Sequence, residues 1–281
     1  MQKEPQQEQQ QRQPPLIVKP RVQVVQPNKL QPIEFHKLKF NYTAQPLDSR
    51  DFKFSSVMSS KKSTPLIFTM ENKIRTIYDQ GYIGSCVSNS FAQCVNILTN
   101  NRLSISRLYH YYCGRAISGD SSLEDTGLDI RQAAKIISKY GWNPESVWPY
   151  MENRFNVLPS LDAFKRATFF TQYIYQFVNQ DIESMKACLS GNSSPIIFGF
   201  LVYPSFFNDN RGVISLPNPA TETLLGGHCM LIVGYNDTLK LFTCVNSWGR
   251  GWGRNGLCFM PYNYILDPNL SMDFCRLNIR I

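Results

Sequence analysis

Three short segments of this 281-residue chain hold the side chains that acyl transfer requires. Gln80-Gly81-Tyr82-Ile83-Gly84-Ser85-Cys86 ends on a thiol, Gly226-Gly227-His228 supplies an imidazole, and Asn246-Ser247-Trp248-Gly249 supplies a carboxamide beside an indole. A cysteine attacks a carbonyl carbon as its thiolate, which forms at neutral pH only beside a cation or a dipole. His228 would take the thiol proton and later return it to the leaving amine. Asn246 would accept the other ring N–H and so hold the imidazole in the productive tautomer, with Trp248 shielding that bond from water. Gln80 would donate its side-chain N–H to the developing oxyanion, alongside the backbone N–H of Cys86.

Each residue alone has a plainer reading. A single cysteine is more often a small buried hydrophobe, a single histidine at a strand start is ordinary, and Asn-Ser is common turn material. Order and spacing favour the chemical reading. His228 follows Cys86 by 142 residues and Asn246 follows His228 by 18, intervals that suit a thiol-protease arrangement. The other candidates fit less well. Cys94 lies two helical turns past Cys86, Cys229 sits inside an apolar strand, His36 falls in a polar tail, and His110 lies in an aromatic stretch.

The elements that must position these residues follow from periodicity. Cys86, Ser90, Phe91, Cys94 and Leu98 recur at helical spacing, which starts a helix at or beside the thiol and points its free N–H groups and positive dipole end at the sulfur. That placement predicts a lowered thiol pKa. Further helices are expected over residues 106–116, over 129–140 with Gly141 as terminator, and over 181–189 with Gly191 beyond it. After residue 194 the texture changes to short β-rich runs, at 195–200, 230–235, 239–245 and 256–260. A strand carrying His228, a hairpin near Asn236-Asp237 and a return strand reaching Asn246 would bring base and orienting residue side by side. Helices first and strands second indicate an α+β protein of two lobes with its site between them.

Composition narrows the setting. The net charge of +8 resides mostly in the N-terminal segment: residues 1–62 hold 11 Lys or Arg against 5 Asp or Glu, and residues 63–281 hold 18 against 16. That excess is too dilute to favour nucleic acid as a partner. There is no run of eighteen apolar residues and no apolar signal core, so the reading is a soluble, intracellular chain without membrane insertion. Eight dispersed cysteines without a Cys-x-x-Cys pair, and only three histidines, argue against a metal centre and for free thiols. Residues 1–40, rich in Gln and Pro, read as a low-complexity tail that is extended or covers a groove.

The segments Gln80 to Cys86, Gly227-His228 and Asn246 to Gly249, with the glycine-rich run Gly249 to Gly256, resemble the signatures of the papain-like cysteine proteases, the family of the cathepsins. The looser resemblance covers roughly residues 45–280. It implies a two-lobe papain-like fold, with a helical left lobe (roughly 66–165), a β-rich right lobe (roughly 166–281, with contributions from 41–65) and the active site in the cleft between them. The whole of 41–281 would then form the peptidase domain. The resemblance also implies peptide-bond hydrolysis through a Cys86 thioester, with Cys86, His228, Asn246 and Gln80 as catalytic residues and Gly84, Ser85, Gly127, Gly227, Cys229 and Trp248 lining the substrate site. No cofactor or metal is implied, and the partners would be protein or peptide substrates bound by a monomer.

The chain departs from the family pattern at four points. Val87 stands where Trp usually follows the nucleophile, and Ile83 stands where many secreted members place a disulfide cysteine. The conventional propeptide helix is missing, and so is the paired-histidine loop of a dipeptidyl-carboxypeptidase, which leaves endopeptidase action as the default. The tail and the divergent flanks are similar to cathepsin-like proteins of giant DNA viruses, which would set the chain in host cytoplasm or a virion. Two other functions fit the same residues: a catalytically silent peptide-binding homologue, and a transamidase or ligase in which an amine replaces water.

Overall fold

A computed structural model describes residues 34–46, 48–54, 64–119, 124–208 and 212–280. Most of the Gln- and Pro-rich stretch, residues 1–33, lies outside the described residues, so for these residues the expectation of an extended or groove-covering tail does too.

Helix α1 (Cys86–Leu98) is buried at every position through Ile97, which makes it a core helix packed on all sides. Helix α2 (Arg107–Ser118) begins where the Ser106 hydroxyl accepts from the Tyr109 N–H at 3.1 Å. Helix α3 (Ile130–Tyr140) begins where the Asp129 carboxylate accepts from the Gln132 N–H at 2.7 Å. Its apolar face of Ile130, Ala133, Ala134, Ile136 and Ile137 is buried, and Gly141 ends it at φ 71°. His110 ties the three helices together. Its Nε2 donates to the Ala133 carbonyl at 2.9 Å, which leaves Nδ1 to accept from the Ser88 hydroxyl, also at 2.9 Å.

The other lobe is one sheet of seven strands: β1 (Ile67–Thr69), β2 (Gln172–Phe177), β3 (Ile196–Val202), β4 (Gly226–Asn236), β5 (Leu241–Val245), β6 (Leu257–Pro261) and β7 (Ser271–Arg280). They run in the order β2-β7-β3-β4-β5-β6, with β1 also paired to β4 and every pairing antiparallel. Short helices α4 (Leu161–Lys165), α5 (Ile182–Lys186) and α6 (Tyr262–Leu266) fill the connections. The helix expected over 181–189 divides into α5 and a wider π turn, Ala187–Gly191. Strands β2 and β7 were not expected from the sequence, whereas β1 falls in residues 41–79, which read as loop and short strand. β2 is only partly buried along its length, and β7 carries an irregular register, so neither shows a clean alternation.

The chain is thus an α+β protein of a helical lobe and a sheet lobe, joined where α1 packs on β4. Its eight cysteines are all free and buried. The β4-β5 hairpin turns just after Asn236, whose side-chain oxygen accepts from the Leu239 N–H at 3.1 Å. It returns Asn246 to the neighbourhood of His228.

Burial holds His110 at a pKa of about 4, and His228 likewise. Both rings are neutral in the fold and titrate near 6.5 once unfolded. The unfolded chain therefore binds more protons than the fold between those values, and stability must fall as pH drops from about 6.5 toward 4. The unfolding free energy from urea titrations should decline over this range, by about 2 kcal/mol per ring at pH 5. His110→Gln should lower stability at neutral pH and flatten the acid slope. An unchanged slope in that variant would contradict the assignment.

Candidate active site

The loop from Asp79 to Ser85 carries the nucleophile and is held from several directions. Asp79 bridges to Trp248, the Gln80 N–H donates to the Ser247 carbonyl at 2.8 Å, and the Gly249 N–H donates to the Tyr78 carbonyl at 2.9 Å. Arg107 locks the loop from below. Its guanidinium lies 4.3 Å from the Tyr78 ring and 3.9 Å from the Tyr150 ring. It donates to the Asp79 carbonyl at 3.0 Å and the Asn89 side-chain oxygen at 2.9 Å, and pairs with Glu145 at 2.8 Å. The Gly84 N–H donates to the Asp125 carboxylate at 2.9 Å. Nothing local in the sequence marks Arg107 or Asp125 for this work, since the partners named here lie 18 to 43 residues away.

Cys86 is the first residue of α1 and is fully buried, with its thiol against the backbone N–H of Cys229, the residue after the base. His228 is fully buried too. Its Nε2 lies 2.8 Å from the Asn246 side-chain oxygen, which also accepts from the Ser247 N–H at 2.8 Å. That oxygen can only accept, so Nε2 carries the proton and Nδ1 presents a lone pair. Among the described residues this Nδ1 is buried with no hydrogen-bond partner. Trp248 stacks on the imidazole at 4.8 Å and 25°, and Phe200 packs edge-on at 5.6 Å, so the His228–Asn246 bond is dry. Gln80 is buried, its Oε1 accepts from the Ser247 hydroxyl at 2.6 Å, and its Nε2 donates to the Ile83 carbonyl at 3.0 Å. A second hydrogen on Nε2 remains for another acceptor.

The charge state differs from the sequence expectation. Burial pushes the Cys86 thiol up to about 12, although the backbone N–H groups of Cys229, Val87 and Cys86 itself pull the other way. Burial likewise lowers the His228 imidazole to about 4, against the upward pull of Asn246. Burial thus favours the neutral form of each group, and a piece of the chain itself lies over the imidazole. Phe40 packs edge-on against His228 and Trp248, each at 6.1 Å. Asn41 bridges to Gly227 in the parallel sense: the Gly227 N–H donates to the Phe40 carbonyl at 3.1 Å and the Tyr42 N–H donates to the Gly227 carbonyl at 3.0 Å.

Several expected substrate-site residues meet this strand. Gly127, at φ 82°, faces the Asn41 carbonyl so closely that a Cβ would collide with it. A Cβ on Gly84 would lie 2.9 Å from Asn41 side-chain atoms, and one on Gly227 would strike the Tyr42 carbonyl. Cys229 pairs with Gly199 across β4 and β3. Ser85 sits differently: fully buried, its hydroxyl bonds to the Tyr150 hydroxyl at 2.5 Å and accepts from Asn89 at 3.0 Å, so it braces the loop from inside. Phe198 and Phe200 are core residues of the sheet. Among the described residues no group of three or more His, Cys, Asp or Glu is placed to hold a metal ion, and no helix is long and apolar enough to cross a membrane.

The geometry has close counterparts among known proteins. Residues 67–272 match the family model described as papain family cysteine protease. The chain belongs to the papain family. It is 38% identical over 213 residues, 70% of this chain and 67% of the relative, to an uncharacterized peptidase C1-like protein of Acanthamoeba polyphaga mimivirus. It is 27% identical over 197 residues to the cathepsin B-like CP2 of Giardia intestinalis, spanning 65% of this chain and 63% of that protein. Among solved structures, xylellain, a cysteine protease from Xylella fastidiosa, superposes with a TM-score of 0.77 at 34% identity, over 87% of this chain and 96% of that one. The fold is therefore papain-like, and the viral resemblance read in the sequence has a mimivirus counterpart.

Nitrogen-15 spectra of the imidazoles should show His228 as the Nε2–H tautomer from about pH 5.5 to 8. Asn246→Ala should release that preference. A Nδ1–H tautomer in the unsubstituted protein would contradict the bond to Asn246.

Proposed function

We propose that the chain is a cysteine-type endopeptidase that cleaves peptide bonds through a thioester on Cys86. The observation that carries this reading is a buried His228 whose Nε2 is committed to Asn246 and whose Nδ1 has no partner among the described residues, on the strand beside the helix start that bears Cys86. With substrate in place, Nδ1 takes the thiol proton, and the thiolate attacks the carbonyl carbon. The oxyanion forms between the Cys86 N–H and the Gln80 amide. Imidazolium then gives its proton to the leaving nitrogen, the C–N bond breaks, and water attacks the thioester by the same route in reverse. A transamidase would share every step except the last nucleophile, and a silent homologue would stop at binding.

A second reading concerns the strand at Phe40 to Tyr42. His228 must protonate the leaving amine, so the departing half of a substrate lies over His228 and Trp248, where Phe40 packs. The acyl half then extends past Cys86 toward Tyr42. A substrate's acyl half is N-terminal to the scissile bond, whereas here the chain runs from Phe40 to Tyr42 in the opposite sense. We read this strand as a reversed, uncleavable occupant that keeps the enzyme latent.

The test is an irreversible thiol-directed peptide inhibitor followed by mass mapping, on the full chain and on Tyr42→Ala. Modification should fall on Cys86 alone and should be at least about 10-fold faster in Tyr42→Ala, since the variant loses a buried ring and a charge-assisted hydrogen bond. In that opened background Cys86→Ala should abolish peptide hydrolysis, and Gln80→Ala should lower kcat by about 10²- to 10³-fold. Labelling at another cysteine, or hydrolysis that survives Cys86→Ala, would overturn the assignment.

A further inference from the structure

We infer that Asp273, at the end of the slot that Tyr42 fills, is a specificity-determining residue that selects a tyrosine side chain in the substrate. The inference rests on the peptidase reading above and names the substrate class for that same site.

Tyr42 is buried, and its hydroxyl donates to Asp273 Oδ2 across 231 positions of sequence. The ring lies flat against glycine. A Cβ on Gly199 would collide with the ring atoms next to the hydroxyl, and one on Gly227 would come within 3.0 Å of the ring's near edge. Any side chain at either position would close the slot. Two strands thus yield their side chains where one aromatic ring enters.

Asp273 is aimed there by a local irregularity. On β3 Ile197 and Gly199 are two positions apart, but their β7 partners, Cys275 and Met272, are three apart, so β7 carries one extra residue. Such a bulge re-aims a side chain. Asp273 occupies it at φ 58°, the left-handed region that an ordinary residue avoids. Its neighbour Phe274 is fixed in the core, stacked on Phe198 at 5.7 Å and 2°, and Asp273 reaches the groove. Burial raises the Asp273 carboxyl above its usual range, and the hydrogen bonds from Tyr42 and the Gln45 N–H hold it back.

The body of the fold acts on this acid through the charge of Arg131. Among the described residues the hydrogen bonds to Asp273 come from Tyr42, on the covering strand, and from the Gln45 N–H at 2.9 Å, three residues farther along. A partly buried carboxylate whose side-chain hydrogen-bond donor is Tyr42 leaves, when that ring is absent, a flat slot ending in an acceptor. A phenol satisfies it. A phenylalanine ring would fill the slot and leave the carboxylate unpaired in an apolar site, which is the asymmetry that lets a polar pocket reject an analogue lacking the hydroxyl. A lysine or arginine could reach the acid but would not fill a slot shaped by two glycines. Since Asn41 lies beside Gly84 and Gly127 and Tyr42 is one residue farther along the acyl side, the selected tyrosine is the residue immediately before the one whose carbonyl is attacked.

The experiment uses full-length Tyr42→Ala, whose slot is vacant, with peptides that differ only at that position: Tyr, Phe, Leu or Lys. Values of kcat/KM are measured for hydrolysis, and Kd is measured for the same peptides on Tyr42→Ala/Cys86→Ala. Tyr should exceed Phe by about 10- to 100-fold in both readouts. Adding Asp273→Gly, which suits the positive φ and removes the acceptor, should bring the ratio to about 1. Asp273→Asn, which also tolerates that backbone and keeps a neutral acceptor, should retain part of it. A Phe, Leu or Lys peptide equal to or better than Tyr, a ratio indifferent to Asp273→Gly, or no binding of any peptide would overturn the inference. Preferential binding of the Tyr peptide without hydrolysis would instead leave the slot standing and remove the peptidase reading.

Discussion

The hydrogen bond between His228 and Asn246 is the interaction on which the site depends. It fixes which ring nitrogen holds the proton, and a neutral imidazole has only one other nitrogen to offer. Much of the surrounding fold keeps this bond dry and in place. The β4-β5 hairpin delivers Asn246, the Ser247 N–H orients its oxygen, and Trp248 covers the ring from one face. Trp248 is itself held by Phe207 at 5.9 Å and Trp252 at 5.1 Å, so an aromatic cluster stands behind one bond of 2.8 Å.

A thiol and an imidazole sealed from water are a poor ion pair. Separating charge between them requires solvent or a substrate dipole, and the closed groove supplies neither. In the proposed latent state, the geometry that suits catalysis favours the neutral forms while Phe40 packs over His228. The helix dipole of α1 and the N–H of Cys229 favour the thiolate, but desolvation exceeds both. On the latent reading proposed above, latency and reactivity are two charge states of one arrangement, and the covering strand decides between them.

Much of this was legible in the residues. Ser106, Asp129 and Asp181 each precede an apolar periodic run, and each caps a helix as its side-chain chemistry dictates. The Asn236-Asp237 turn announced the hairpin that brings Asn246 to His228. Three things were hidden for physical reasons. Strand β7 was obscured because the bulge at Asp273 breaks its alternation. The brace of Arg107 on the nucleophile loop depends on Tyr78, Asn89, Glu145 and Tyr150, which only the folded chain assembles. The thiol pKa was expected to fall because α1 and His228 are visible in the sequence, whereas the strand that dries the groove pairs with residues more than 180 positions away.

The central claim is that one proton is shared between the Cys86 sulfur and the His228 ring once the groove opens. The pH profile of Cys86 alkylation, mapped by mass and compared between Tyr42→Ala and Tyr42→Ala/His228→Ala, tests it most directly. The account predicts a thiolate already reactive below about pH 7 in the first variant, and a profile shifted to or above the free-thiol range near 8.5 in the second. Superimposable profiles in the two variants would mean that sulfur and imidazole do not share a proton, and the account would fail.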